Sequence, residues 1–205
     1  MSIGYDNINT FNTISKDSTA QWRFATLARL DEKIVHAKDL ATIWGIKDPH
    51  TLNVTLSRYV KRGLLIRLQK GMYSLKPAAK LDARLIGIKA LHGRAYVSTE
   101  TVLADAGVIM QSINTITLIS SVSKNFTVAG HNYKSRQLKD EALYQDLGLV
   151  ERDGILVAST ERAIADMLYF NPKYYFDNPK IVDWGKVHAL QKQLGYTLIG
   201  NTKKL

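Results

Sequence analysis

Residues Pro49–Leu81 read PHTLNVTLSRYVKRGLLIRLQKGMYSLKPAAKL, with seven Lys or Arg and no Asp or Glu. Leu52, Leu56, Tyr59 and Val60 recur at helical spacing, so they form one apolar stripe. Asp48 stands where a helix cap is expected, and Pro49 falls in the first turn, where its missing N–H costs nothing. Gly63 ends the helix. The following LLIRLQKGMYSL alternates around Gln69-Lys70-Gly71, which predicts a β-hairpin. A basic helix followed by a basic hairpin has the shape and charge of a winged helix-turn-helix.

The sequence upstream supplies the rest of such a unit. Asp17-Ser18 is suited to cap a helix from about Thr19 to Leu30, with Trp22, Ala25, Leu27 and Leu30 inward. A second helix is expected from Ala37 to Trp44, with Leu40, Ala41 and Trp44 inward and Gly45 as its left-handed end. Residues 1–15 are polar and read as a loose arm. Pro77 marks a boundary, giving a first domain of residues 1–78 and a second of residues 79–205. The second begins with a helix from about Lys80 to His92. Tyr96-Val97-Ser98 predicts a strand feeding a helix from Thr99 to Ala106, capped by Ser98 or Thr99. Strands are expected at Thr115–Ser120, Asn125–Val128, Asn132–Gln137 and Gly154–Ala158. Helices are expected from Ser159 or Thr160 to Phe170 and from Val182 to Leu194. The fold class is therefore α+β, a winged helix-turn-helix domain followed by a mixed α+β domain.

The third helix sets out a candidate DNA-reading face opposite its apolar stripe. The first residues of a recognition helix reach base edges. His50, Thr51, Asn53 and Ser57 are short hydrogen-bonding side chains suited to that position. Asn53 can pair with adenine through two bonds, and Arg58 with guanine. Lys61 and Arg62 lie further along, where phosphates are the natural partners. In the hairpin, Arg67, Gln69 and Lys70 are expected to project toward the backbone or minor groove. Tyr73 is expected to pack against Leu64 and Leu75, and Trp22 and Trp44 to join the core. One winged helix makes few phosphate contacts, so a homodimer or paired binding on DNA is expected.

Composition limits the alternatives. The chain has 205 residues, 45% apolar content and a net charge of +10. Residues 1–78 hold 12 basic and 6 acidic side chains against 16 and 12 in the remainder. The positive excess is densest in the first part, and such a field recruits polyanions. With no cysteine, disulfides, thiolate zinc sites and cysteine nucleophiles are excluded. The beginning MSIGYDNINTF lacks a basic segment followed by an apolar one, and no apolar run approaches the roughly 20 residues that span a bilayer. A cytoplasmic protein without membrane partners is expected.

The acids of the second part do not pair for catalysis. Glu100 and Asp105, and likewise Glu161 and Asp166, are five residues apart and point in different directions on a helix. Glu141 and Asp146 show no better pattern. His92, His131 and His188 lack metal-ligand spacing, and no phosphate-binding glycine motif is present. No catalytic residue, metal site or cofactor is expected. A metal-dependent nuclease that assembles carboxylates from distant strands is the enzyme alternative.

Three ordered segments carry a family resemblance. RLQKGMYSL resembles a wing with a Lys-Gly-x-Tyr turn. AYVSTETVLADAGVI resembles a Tyr-Val/Ile-Ser-x-Glu-Ser-Ala-Leu-type helix start that ends in Gly-Leu-Ile, with Thr99 and Thr101 in place of the commoner residues around Glu100. GILVASTERAIADMLYF resembles an Ile-Ala-x-x-Glu-Lys-Ala-x-x-Asp segment, with Arg162 in place of Lys. Together they resemble the AbiEi-like antitoxins, the repressor-antitoxins of type IV toxin–antitoxin systems. The resemblance implies a winged-helix domain that represses its own operon through operator repeats in double-stranded DNA. It also implies a C-terminal domain that counters a nucleotidyltransferase-type toxin, without requiring a stable complex with it. A stand-alone transcriptional regulator without a toxin is the alternative within this reading. For the third segment itself, the spacing predicts Ala163, Ile164, Met167 and Leu168 inward. Glu161 and Asp166 are expected as exposed or capping charges, with Arg162 either outward or paired to a nearby acid. The aromatic run Tyr169–Phe176 is expected either to dock a partner or to pack under the terminal helix.

Overall fold

A computed structural model describes residues 16–29 and 32–200. The expected loose arm at 1–15 and the inward Leu30 lie outside the described residues. The described chain is α+β and divides into two compact units between Pro77 and Ala78. Among the described residues, no helix is long and apolar enough to cross a membrane.

The first unit runs α1 (Lys16–Arg29), β1 (Ile34–His36), α2 (Ala37–Ile43), α3 (Pro49–Lys61), β2 (Ile66–Gln69) and β3 (Met72–Ser74). The three strands form an antiparallel sheet in the order β1-β3-β2. Leu27, Val35, Leu40, Trp44, Leu56, Tyr59, Leu65 and Tyr73 make one buried cluster, with Leu52, Val60, Leu64 and Leu75 packed against it. The apolar stripe of α3 is thus its core face. Ser74 closes the sheet from within: its wholly buried hydroxyl lies 2.9 Å from the Lys33 carbonyl and 2.8 Å from that of Lys76.

Two expectations for α1 are corrected. The helix begins at Lys16, so Asp17 and Ser18 lie inside its first turn instead of capping it. Trp22 is 38% exposed and Ala25 is exposed too, so both stand outside the core, whereas Leu27 and Trp44 are inside. At 3.6 residues per turn, Trp22 and Leu27 are about 140° apart on the helix, so one inward face cannot hold both centrally.

The second unit begins with a 3-10 turn at Ala78–Lys80, where the sequence predicts the start of a helix. Asp82 then caps α4 (Ala83–Lys89). Next come β4 (Ala95–Val97), α5 (Glu100–Asp105), β5 (Thr115–Ser120), β6 (Lys124–Val128), β7 (His131–Gln137) and α6 (Asp140–Leu143). The unit ends with β8 (Leu149–Arg152), β9 (Ile155–Ala158), α7 (Thr160–Phe170) and α8 (Trp184–Gln193). The sheet order is β6-β7-β5-β4-β9-β8, with parallel pairing of β5 to β7 and β4 to β9 and antiparallel pairing elsewhere.

Strand alternation assigns the two faces. Leu118 and Tyr133 face α4, where a Cβ on Gly87 would stand 2.4 Å from the Tyr133 ring. Only glycine lets that helix come so close. Tyr96 points the other way and meets α7. Thr101 of α5 bonds Thr117 of β5 on the same side, through Thr117 N–H to Thr101 Oγ1 at 2.8 Å.

The α7 side holds a buried polar network. Arg162 and Asp166 are both 0% exposed, which corrects the expectation of an exposed or capping Asp166. Arg162 Nε donates to Asp166 Oδ1 at 2.9 Å, and its other nitrogens donate to the Leu147 carbonyl and Tyr96 hydroxyl, each at 2.8 Å. Asp166 also accepts from the Tyr96 hydroxyl at 3.0 Å, Ser98 at 2.8 Å and Tyr196 at 3.0 Å. Burial, reinforced by the Asp166 charge, pushes both tyrosine hydroxyls up, so they remain donors. Burial opposes the charge on Arg162, but the Asp166 carboxylate outweighs it and holds the guanidinium above its ordinary value. A buried ion pair is retained when its remaining hydrogen-bonding groups are satisfied.

The same network corrects the cap of α5. Ser98 is committed to Asp166, and Thr99 makes no side-chain capping bond. In the aromatic run, Phe176 is buried and lies edge-on to Trp184 of α8 at 5.9 Å, while Tyr175 is 77% exposed. Tyr169 packs on Tyr196 at 4.6 Å. Packing under the terminal segment accounts for Phe176 and Tyr169.

Candidate nucleic-acid interface

The exposed side of α3 begins at Asp48. Its carboxylate accepts from the His50 N–H at 3.4 Å and the Thr51 N–H at 2.7 Å. It also accepts from the Thr51 hydroxyl at 2.6 Å, and these bonds hold its pKa below the ordinary value, the hydroxyl contributing most. The backbone donors of this helix start are therefore occupied. A phosphate arriving there has to be held by side chains. Thr51 has given up its hydroxyl proton to the cap, so it can offer a base only an acceptor.

Beyond the cap, His50, Asn53, Ser57, Arg58, Lys61 and Arg62 are all exposed. At 3.6 residues per turn, His50, Ser57 and Lys61 fall within about 40° of one line along the helix. Asn53 lies on one flank of that line and Arg58 on the other, with Arg62 further round. The core residues Leu52, Leu56 and Tyr59 occupy the opposite side. The arrangement presents short polar groups at the start of the helix and cations toward its end. The same cations, Arg58 and Lys61, favour the negative end of the helix dipole.

The hairpin is short and fixed at both ends. Gln69 pairs with Met72 across Lys70-Gly71, and the register shifts between Arg67 and Gln69. Gly71 has φ +76°, a left-handed conformation that glycine adopts without strain. Its carbonyl accepts the Ala37 N–H at 2.9 Å, tying the hairpin tip to the start of α2. Arg67 and Lys70 are exposed. Gln69 differs from expectation: it is half-buried, and its amide turns back to the Met72 sulfur at 3.9 Å. Its short span between Arg67 and a two-residue turn leaves it facing its own partner strand. The tip is thus carried by Arg67 and Lys70.

Lys38 and Lys47 add two exposed cations on α2 and in the link to α3. Nothing but their charge marks them in the sequence. In the second unit, four of the six carboxylates named from the sequence go to separate cations. Glu100 pairs with Arg136, Asp105 with Arg84, Asp146 with Arg94 and Asp166 with Arg162. Among the described residues, no group of three or more His, Asp or Glu is placed to hold a metal ion.

No family model matches the chain, and no curated protein matches it by sequence. Among solved structures it is similar to the Rv2827c protein from Mycobacterium tuberculosis, seen in a crystal structure. The superposition covers 85% of this chain and 71% of that one, with a TM-score of 0.51 and 12% identity. At that identity the likeness concerns the fold alone.

Proposed function

We propose that the first unit is a winged helix-turn-helix that binds double-stranded DNA, with α3 in the major groove and the β2–β3 hairpin on the adjacent backbone. The observation that carries this reading is the exposed face of α3, on which no carboxylate follows the capping Asp48. It offers Asn53, Ser57, Arg58 and Lys61 to bases and phosphates, with Arg67 and Lys70 in the hairpin as further cations. His50 completes the base-reading start, and Arg62 adds a phosphate contact.

The biological role we assign is that of a transcriptional repressor and type IV antitoxin of the AbiEi-like kind. It acts in the cytoplasm on operator repeats near its own gene and counters a nucleotidyltransferase-type toxin. The support is the ordered resemblance of three segments. Two of them meet in space: Tyr96 and Ser98 of one bond Asp166 of the other. In this reading that motif maintains the fold of the second unit, and toxin antagonism resides on its surface. Operator occupancy involves two copies, as a dimer or side by side on repeats. The chain performs no catalysis of its own.

Electrophoretic mobility shift with the DNA upstream of its gene tests the first part. Preference for that DNA over random duplex at equal salt is the expected result. The second is tested by whether a nucleotidyltransferase-like gene adjoins its own and, where one does, by rescue of growth on co-expression when that gene is induced. DNA preference without rescue assigns the chain to the stand-alone regulators.

A further inference from the structure

A cleft of about 570 Å³ lies over the β5–β6–β7 end of the six-stranded sheet. This is within the range of roughly 300–1,000 Å³ that holds small ligands. Register fixes its floor. Thr115 stands beside Asn132, Thr117 beside Lys134, and Asn125 and Thr127 stand across from Lys134 and Asn132, so all share one face. Glu100 contributes to the wall.

The groups are oriented for a particular chemistry. The Thr127 hydroxyl donates to Asn132 Oδ1 at 2.9 Å, which leaves the Asn132 amide N–H groups as donors. Lys134 is exposed and makes no ion pair among the described residues. Glu100 is held by Arg136 through Oε1, while its Oε2 is buried and accepts nothing, and Arg136 Nε is likewise buried without a partner.

Glu100 is also presented by a strained backbone. Thr99, fully buried, has φ +52°, which is uncommon for a β-branched residue. Its neighbours hold it there: the Thr117 hydroxyl lies 2.6 Å from the Ser98 carbonyl, and the Thr101 N–H donates to that hydroxyl oxygen at 3.0 Å. Strain maintained in this way concentrates at binding sites.

We infer that this cleft binds a phosphorylated polyol, a sugar phosphate or a mononucleotide. The phosphate sits on Lys134 with the Asn132 amide donating to it, and sugar hydroxyls meet Thr115 and Asn125. Threonine and asparagine on the floor, beside Ile113, Phe126 and Tyr133, fit a ligand with both polar and apolar faces. A polynucleotide is disfavoured by the Glu100 charge and by Lys134 being the only cation among the lining residues. The site belongs to the second unit and does not depend on DNA binding by α3.

The test is an amide NMR titration of the full chain with adenosine monophosphate, ribose phosphate, adenosine and inorganic phosphate. Saturable shifts at Asn125, Asn132 and Lys134 are expected with adenosine monophosphate. Adenosine and inorganic phosphate should each bind at least about tenfold more weakly, a loss of one decade in affinity. Lys134→Glu and Asn132→Ala, both at exposed positions, should weaken the response without altering the thermal unfolding curve. Equal binding of ribose phosphate assigns the site to sugar phosphates; binding of the nucleotide alone assigns it to nucleotides. No saturable shift with either phosphorylated probe would overturn the inference. So would shifts that survive Lys134→Glu, or inorganic phosphate alone binding as well as the others.

Discussion

Asn53 and Lys61 lie two turns apart on α3 and carry different parts of the proposal. Lys61→Ala should weaken binding to every duplex alike and flatten the salt dependence by roughly 0.9 in log–log slope for one lost phosphate contact. Asn53→Ala should cost about 1–3 kcal/mol on the preferred sequence and little on others. Fluorescence anisotropy at several salt concentrations separates the two. Asp48 contributes differently, by shaping the helix start. Its folded-state pKa lies below the 3.8 of the free side chain, so its stabilisation is present above that value and lost as pH falls through the lower, folded one. Asp48→Ala should therefore destabilise the first unit at neutral pH and make little difference in strong acid. Thermal unfolding followed by circular dichroism across that range reads the effect.

At the level of elements, the stability of the second unit should depend on the α7 network. Asp166→Ala leaves Arg162 buried without its counter-charge and should cost about 3–5 kcal/mol. Replacing Arg162 with Met and Asp166 with Leu together should cost less than that single change. Urea unfolding of the three proteins measures both. The sequence makes the main helices legible because stripes such as Leu52–Leu56–Tyr59 repeat at helical spacing and Asp48-Pro49 marks a start. It also indicates the β6–β7 hairpin, where Ala129 and Gly130 both take positive φ. The β8–β9 hairpin is missed although Asp153-Gly154 is a strong turn signal, because Leu149–Arg152 is short and mostly exposed. Strand β1, three residues long, has too few positions to show alternation. Asp166 is misread as exposed because spacing sets it outside the Ala163–Ile164–Met167–Leu168 stripe and does not show that Tyr96, Ser98 and Tyr196 converge on it from distant positions. In the candidate interface, the exposed face of α3 follows from its stripe. The inward turn of Gln69 and the use of the Thr51 hydroxyl depend on local geometry that residue type does not encode.

For the whole molecule, the two units have separable tasks in this account. The first carries the densest positive excess and is the unit proposed to bind DNA; the second holds the cleft and is the unit proposed to oppose a toxin. Because one winged helix makes few contacts, occupancy of the natural operator should involve two copies. Mass measurement of the complex on a duplex with two repeats should give twice the protein bound to a duplex with one. The most direct measurement is competitive mobility shift, at fixed salt, between the DNA upstream of the gene and random duplex of equal length. The account predicts that the upstream DNA competes far better and that Asn53→Ala narrows the difference. Equal competition by the two duplexes, unchanged by Asn53→Ala, would contradict it.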